Sequence, residues 1–136
     1  MGLSNLSTTQ IADLTSTQLS AITSTQVGAL SNSQLAAISF GAIPAIPVSA
    51  IQAISPTQMP ALVPGQIGNL TASQLQVLPT ADVAQITTTQ VSGLTTTQVG
   101  EFLATQMGAF SITSMESFSA GQVGAITAMQ IGGMGP

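Results

Sequence analysis

Four side chains in this 136-residue sequence are charged, and all four are acids: Asp13, Asp82, Glu101 and Glu116. A pair of carboxylates can act as general acid and general base. Ser and Thr are abundant, but a hydroxyl becomes a nucleophile only beside a base, and the chain has no His, Lys, Arg or Cys. The sequence repeats in eights. Counted from the polar start of each octad, the acids fall at places four, one, four and three, so they form no row. They also lack the spacing of a calcium loop, and no soft metal ligand exists. The expectation is no enzyme, no cofactor and no bound metal. Asp82 replaces a polar residue at a helix start, where a carboxylate is favourable. Asp13, Glu101 and Glu116 read as solvated surface groups.

The charge balance excludes further classes. Without Lys or Arg nothing neutralises phosphates, which argues against nucleic acid and anionic membrane surfaces. Gln, Ser and Thr interrupt every apolar stretch long before the roughly 18 residues of a spanning helix, so no membrane insertion is expected. No secretory signal is visible at the N-terminus. The absence of cysteine leaves the redox compartment open. A net charge of only −4 keeps self-repulsion weak and favours association.

The elements that position these residues follow from the octad. Reading from Gly2, a large apolar residue recurs every eight positions from Leu3 to Ile131, and a second follows three places later, from Leu6 to Met134. Gln fills the first place in twelve of the octads, and Ser or Thr fills the sixth in twelve. Re-phased, the unit is Ser/Thr-x-x-Gln-apolar-x-x-apolar. This is a capping box, in which a hydroxyl accepts from the N3 amide and the N3 side chain reaches back to the N-cap amide. It recurs ten times, as in Ser7 with Gln10, Thr15 with Gln18, Thr23 with Gln26, Thr87 with Gln90, Thr95 with Gln98, and Thr127 with Gln130. Apolar residues three apart share a helical face. The next cap follows at once, so each helix lasts only about one to one and a half turns.

So short a helix does not persist alone. An octad must stack on its neighbours, which predicts an all-α solenoid of very short helical turns, one per repeat, in a single domain spanning 1–136. Small residues after the first apolar place, such as Ala12, Gly28, Gly68, Gly100 and Gly124, suit close stacking. Pro56 and Pro64 fall just after an N-cap, where a missing N–H does no harm. Pro44 and Pro60 fall inside the expected turn, and Ala replaces Gln at 42 and 50, so 42–65 is the irregular stretch: extended, bent or an elbow. A β-solenoid is the alternative. Runs such as Thr87–Thr89 suit strands, and Gln and Thr form ladders in cross-β packing. Against it, a strand face repeats every two residues, not every three.

Phrases such as LTSTQLSAITSTQVGAL and LTTTQVGEFLATQMGAF resemble the LTTxQIxAL-type octapeptide arrays of large bacterial surface and secreted proteins, often labelled adhesin- or haemagglutinin-like. The resemblance covers nearly the whole chain, most weakly at 42–65 and 130–136. It implies an extracellular or cell-surface structural or adhesive role, and carries over no catalytic residues.

The expected function is therefore a structural subunit that stacks head to tail with copies of itself into an extracellular filament or stalk. Leu3, Leu6, Ile126, Ile131 and Met134 are the expected joint. Phe102, Phe110 and Phe118, in successive octads, read first as a wider core and second as an aromatic subunit contact. The Gln column reads first as capping, or as bonds to the Gln of an adjacent coil. Its alternative is an exposed Gln/Thr lattice for a glycan or ice, in an adhesive segment of a larger surface protein.

Overall fold

The computed structural model of the chain describes residues 3–133. Among these residues there are fourteen short α-helices and three 3₁₀ turns, and no strand. The chain is all-helical, which disfavours the β-solenoid alternative. Among the described residues no helix exceeds six residues.

Most of the helices start as the sequence predicts. Both halves of the capping box form at all ten Ser/Thr-x-x-Gln sites, from Ser7 with Gln10 to Thr127 with Gln130. At Val63 and Leu103 the hydroxyl is missing, and only the Gln half survives, with Gln66 and Gln106 each accepting the N-cap N–H at 2.9 Å. Two consecutive extended residues end one helix and begin the next. Leu30 leaves Ser24–Ala29 at φ −70° and ψ 140°, and Ser31 caps Asn32–Ala37 at φ −72° and ψ 163°.

The helices pack on partners three octads along the chain. Thr8–Ala12 meets Asn32–Ala37, Ser24–Ala29 meets Val48–Ile51, Ala72–Gln76 meets Thr96–Glu101, and Ala104–Met107 meets Ala128–Gly133. Both apolar places feed one continuous core that runs from Ile11 to Phe118. The first apolar place stays buried from Ile11 to Met107 and then opens. Met115 is half-buried, Val123 is 53% exposed and Ile131 is 60% exposed. Among the described residues no octad lies three places on from these three.

The stretch 42–65 is neither extended nor an elbow in its packing. Pro44 and Pro60 convert α-turns into 3₁₀ turns, Phe40–Ala45 and Met59–Ala61, because proline removes the N–H that an α-turn uses. A regular α-helix, Val48–Ile51, lies between them. Ile43, Ile46, Ile51, Ile54, Met59 and Leu62 all remain buried, so the apolar phase overrides the local irregularity.

The expectation about small residues holds in one place and fails in others. A Cβ at Gly68 would lie 2.7 Å from the Gly93 carbonyl oxygen, and a Cβ at Gly93 would overlap the backbone of Pro64. At Gly28 and Gly124 a Cβ would meet nothing within 4 Å. Close backbone approach therefore operates where Gly68 and Gly93 meet, with Pro64 beside them, and again where Gly133 meets Ala104.

Candidate functional site: the glutamine column and the two end surfaces

The N3 glutamine of each cap has an amide left over. Its Oε1 accepts the N-cap N–H, which leaves Nε2 with two unused donors. In nine octads Nε2 donates across the stack to backbone carbonyls 31 and 28 residues earlier. Gln90 reaches Met59 and Leu62 at 2.8 and 2.7 Å. Gln98 reaches Ile67 and Leu70 at 2.7 and 2.9 Å, and Gln130 reaches Val99 and Phe102, both at 2.7 Å. Gln58, Gln66, Gln74, Gln106 and Gln122 repeat the pattern. Gln34 is the first to do so, with Leu3 at 3.4 Å and Leu6 at 2.8 Å. The accepting carbonyls are those of the two apolar residues four octads back. One side chain thus starts its own helix and satisfies two buried acceptors in another.

This differs from the predicted Gln-to-Gln contact. The acceptor is backbone, and the bridging glutamines are buried, between 1% and 7% exposed, so they form no exposed lattice. A signal for it stands in the sequence. Glu serves a capping box as well as Gln and suits a helix N-terminus better, yet none of the ten boxes uses Glu. A demand for the extra donor is consistent with that choice in the boxes that bridge.

Gln10, Gln18 and Gln26 have the same caps but donate to no carbonyl of another octad among the described residues. Gln10 and Gln18 are exposed and Gln26 is half-buried. At the other end the paired carbonyls of Met115 and Phe118, and of Val123 and Ile126, receive no glutamine amide. Among the described residues the first octads therefore hold amide donors without an acceptor in another octad, and the last hold carbonyl pairs beside exposed Val123 and Ile131.

The predicted joint residues divide along the same line. Ile131 is exposed, Leu3, Leu6 and Ile126 are half-buried, and Met134 lies outside the described residues. Phe102, Phe110 and Phe118 are not on an end surface. They are buried, with rings packed edge to face at centroid distances of 5.3 and 5.4 Å, as a core row.

Two octads carry another polar residue in the glutamine place, while those at 42 and 50 carry Ala. Ser114 donates its hydroxyl to the Ile86 carbonyl at 2.6 Å, the acceptor 28 residues back. Asp82 is 1% exposed, its Oδ2 has no hydrogen-bond partner, and burial pushes its carboxyl up to about 6. It closes no box, because its N-cap is Pro79, which has neither hydroxyl nor N–H. Its favourable place in the first helical turn is thus offset by burial. Asp13 and Glu116 are exposed, while Glu101 is half-buried. Among the described residues no three potential metal ligands come together, and no helix is long and apolar enough to cross a membrane.

A family model described as "ALTTAQ repeat" matches residues 3–32, which supports a repeat family for this chain. No curated protein matches. No solved structure matches.

Proposed function

We propose that the chain is a non-enzymatic structural repeat protein, wound as a solenoid of octads, that stacks head to tail with copies of itself into an extracellular filament or stalk. The carrying observation is a match within the described residues: Gln10 and Gln18 donate to no carbonyl of another octad, and the carbonyl pairs of Met115 with Phe118 and of Val123 with Ile126 receive no glutamine amide. Inside the chain octads are held from outside themselves, by helices three octads away and, through nine glutamines, by amide bridges four octads away. A second copy that continues the octad phase brings Gln10 to the carbonyls of Met115 and Phe118, and Gln18 to those of Val123 and Ile126. It also covers Val123 and Ile131. A contact between two different surfaces propagates instead of closing. Packing three and four octads apart supports a winding of between three and four octads per turn.

Weak self-repulsion supports the same outcome, since nothing beyond the net charge of −4 opposes stacking. The resemblance to octapeptide arrays of surface and secreted proteins supports the extracellular placing.

Electron microscopy of the purified chain tests this proposal. Filaments one solenoid wide are expected from the wild type. The variant Gln10→Glu/Gln18→Glu/Gln26→Glu keeps its caps but presents carboxylates to carbonyls, so it should remain short or monomeric. Monodisperse small particles from the wild type at high concentration would refute end-to-end assembly.

A further inference from the structure

We propose that Asp82 is a proton-operated link in the glutamine column. As a neutral acid its O–H donates to the Ile54 carbonyl and closes the stack. Ionised, it faces carbonyl oxygens with nothing to donate and loosens the stack at that octad.

The register identifies the acceptor. Every bridging glutamine reaches the carbonyls 31 and 28 residues earlier, which for position 82 are those of Ile51 and Ile54. The Ile51 carbonyl already accepts the Ile54 N–H at 3.1 Å, whereas no donor is bonded to the Ile54 carbonyl. Ser114 shows what a short side chain does in this place: its hydroxyl takes only the carbonyl 28 residues back. Asp82 is likewise shorter than glutamine and is buried, with an oxygen that has no partner. A carboxylate there gathers oxygen atoms with no donor among them, which is costly away from water. A neutral carboxyl supplies the missing proton donor. Pro79 fits the exchange, since an N-cap without an N–H asks nothing of Asp82 as an acceptor.

No other charge rescues the ionised form. The packed helix Ala104–Met107 reads Ala-Thr-Gln-Met, and the helix Val48–Ile51 on the acceptor side reads Val-Ser-Ala-Ile, so neither holds an ionisable group. The chain has no basic side chain, and its remaining acids are Asp13, Glu101 and Glu116. Burial holds the carboxyl at about 6, above its ordinary 3.8, so the folded chain binds this proton more tightly than the unfolded chain does. The stabilisation is complete below the unfolded value and is lost as pH rises through about 6, when the proton passes to water.

Thermal unfolding of the full chain, followed by circular dichroism between pH 4.5 and 7.5, tests the link beside an NMR titration of the Asp82 carboxyl. The wild-type midpoint should fall by roughly 5 to 10 °C across that range. The variants Asp82→Asn and Asp82→Gln carry a permanent donor and should be flat, with Asp82→Gln the more stable at pH 7.5. The carboxyl should titrate near 6. A flat wild type, a slope that persists in Asp82→Asn, or a titration near 4 would overturn the proposal. So would a wild type stabilised at pH 7.5 by added calcium, which would mark a cation site instead. End-to-end assembly can fail with this result intact, because the link lies within one chain.

Discussion

Gln18 and Gln90 occupy the same phrase, Thr-x-Thr-Gln, and close the same capping box at nearly the same distances. Gln90 is buried and bonded to two carbonyls of another octad, while Gln18 stands exposed with its amide unused. The local chemistry is identical, and the difference lies entirely in what sits four octads earlier. An octad therefore has a local half, the cap, and a non-local half, the bridge. Only the second depends on position in the array, and it is what a neighbouring copy would complete.

The largest separation between the two regions should come from charge. Gln90→Glu keeps the cap but sets a buried carboxylate against two carbonyls, and should cost about 4 kcal/mol in denaturant unfolding. Gln18→Glu keeps the cap, gains from the helix N-terminus, and should stay within about 0.5 kcal/mol of wild type in the dispersed chain. Equal losses at both sites would show that the bridge contributes nothing beyond the cap.

Core truncation comes next. Leu75→Ala, at a site 0% exposed, should cost about 3 kcal/mol, whereas Ile131→Ala, at 60% exposure, should change the stability of the dispersed chain by less than about 0.5 kcal/mol. The second variant should instead weaken assembly, readable by sedimentation.

Glycine sharpens the contrast at smaller scale. Gly93→Ala forces the octads of Gly68 and Gly93 apart and should cost about 2 kcal/mol. Gly28→Ala, in a helix with open space around it, should gain roughly 0.5 to 1 kcal/mol from helix propensity. Thermal midpoints that move in opposite directions would bear out the difference.

The smallest contrast should be none at all. Thr15→Ala and Thr87→Ala each remove one cap hydroxyl and should cost about 1 kcal/mol apiece, because the cap is local. A markedly greater loss at Thr87 in the same unfolding assay would mean that caps and bridges are coupled.

The helix starts were legible in the sequence because a capping box is complete within four residues; nine of the ten boxes open an α-helix, while the box of Ser55 and Gln58 closes over a turn ahead of the 3₁₀ turn Met59–Ala61. The all-helical class followed from apolar residues three apart. Pro44 and Pro60 mark 42–65 as irregular in the sequence, but local rules show only the lost N–H and not the packing that tolerates a 3₁₀ turn. The amide bridge was missed because its acceptors lie 28 and 31 residues away, beyond any local motif. Its trace was the exclusion of Glu from the ten boxes, which capping alone does not explain. Asp82 was read as a favourable cap substitute for the same reason. Only the fold reveals that its place demands a donor.

Side-chain amide hydrogen exchange, resolved by NMR for each glutamine of the column, tests the two-part octad most directly. In dispersed chains Gln10, Gln18 and Gln26 should exchange rapidly, while Gln58, Gln66, Gln74, Gln90 and Gln98 should be strongly protected. On assembly Gln10 and Gln18 should join the protected class. Uniform exchange across the column in dispersed chains would contradict the bridge, and unchanged exchange of Gln10 and Gln18 in assembled material would contradict its continuation between copies.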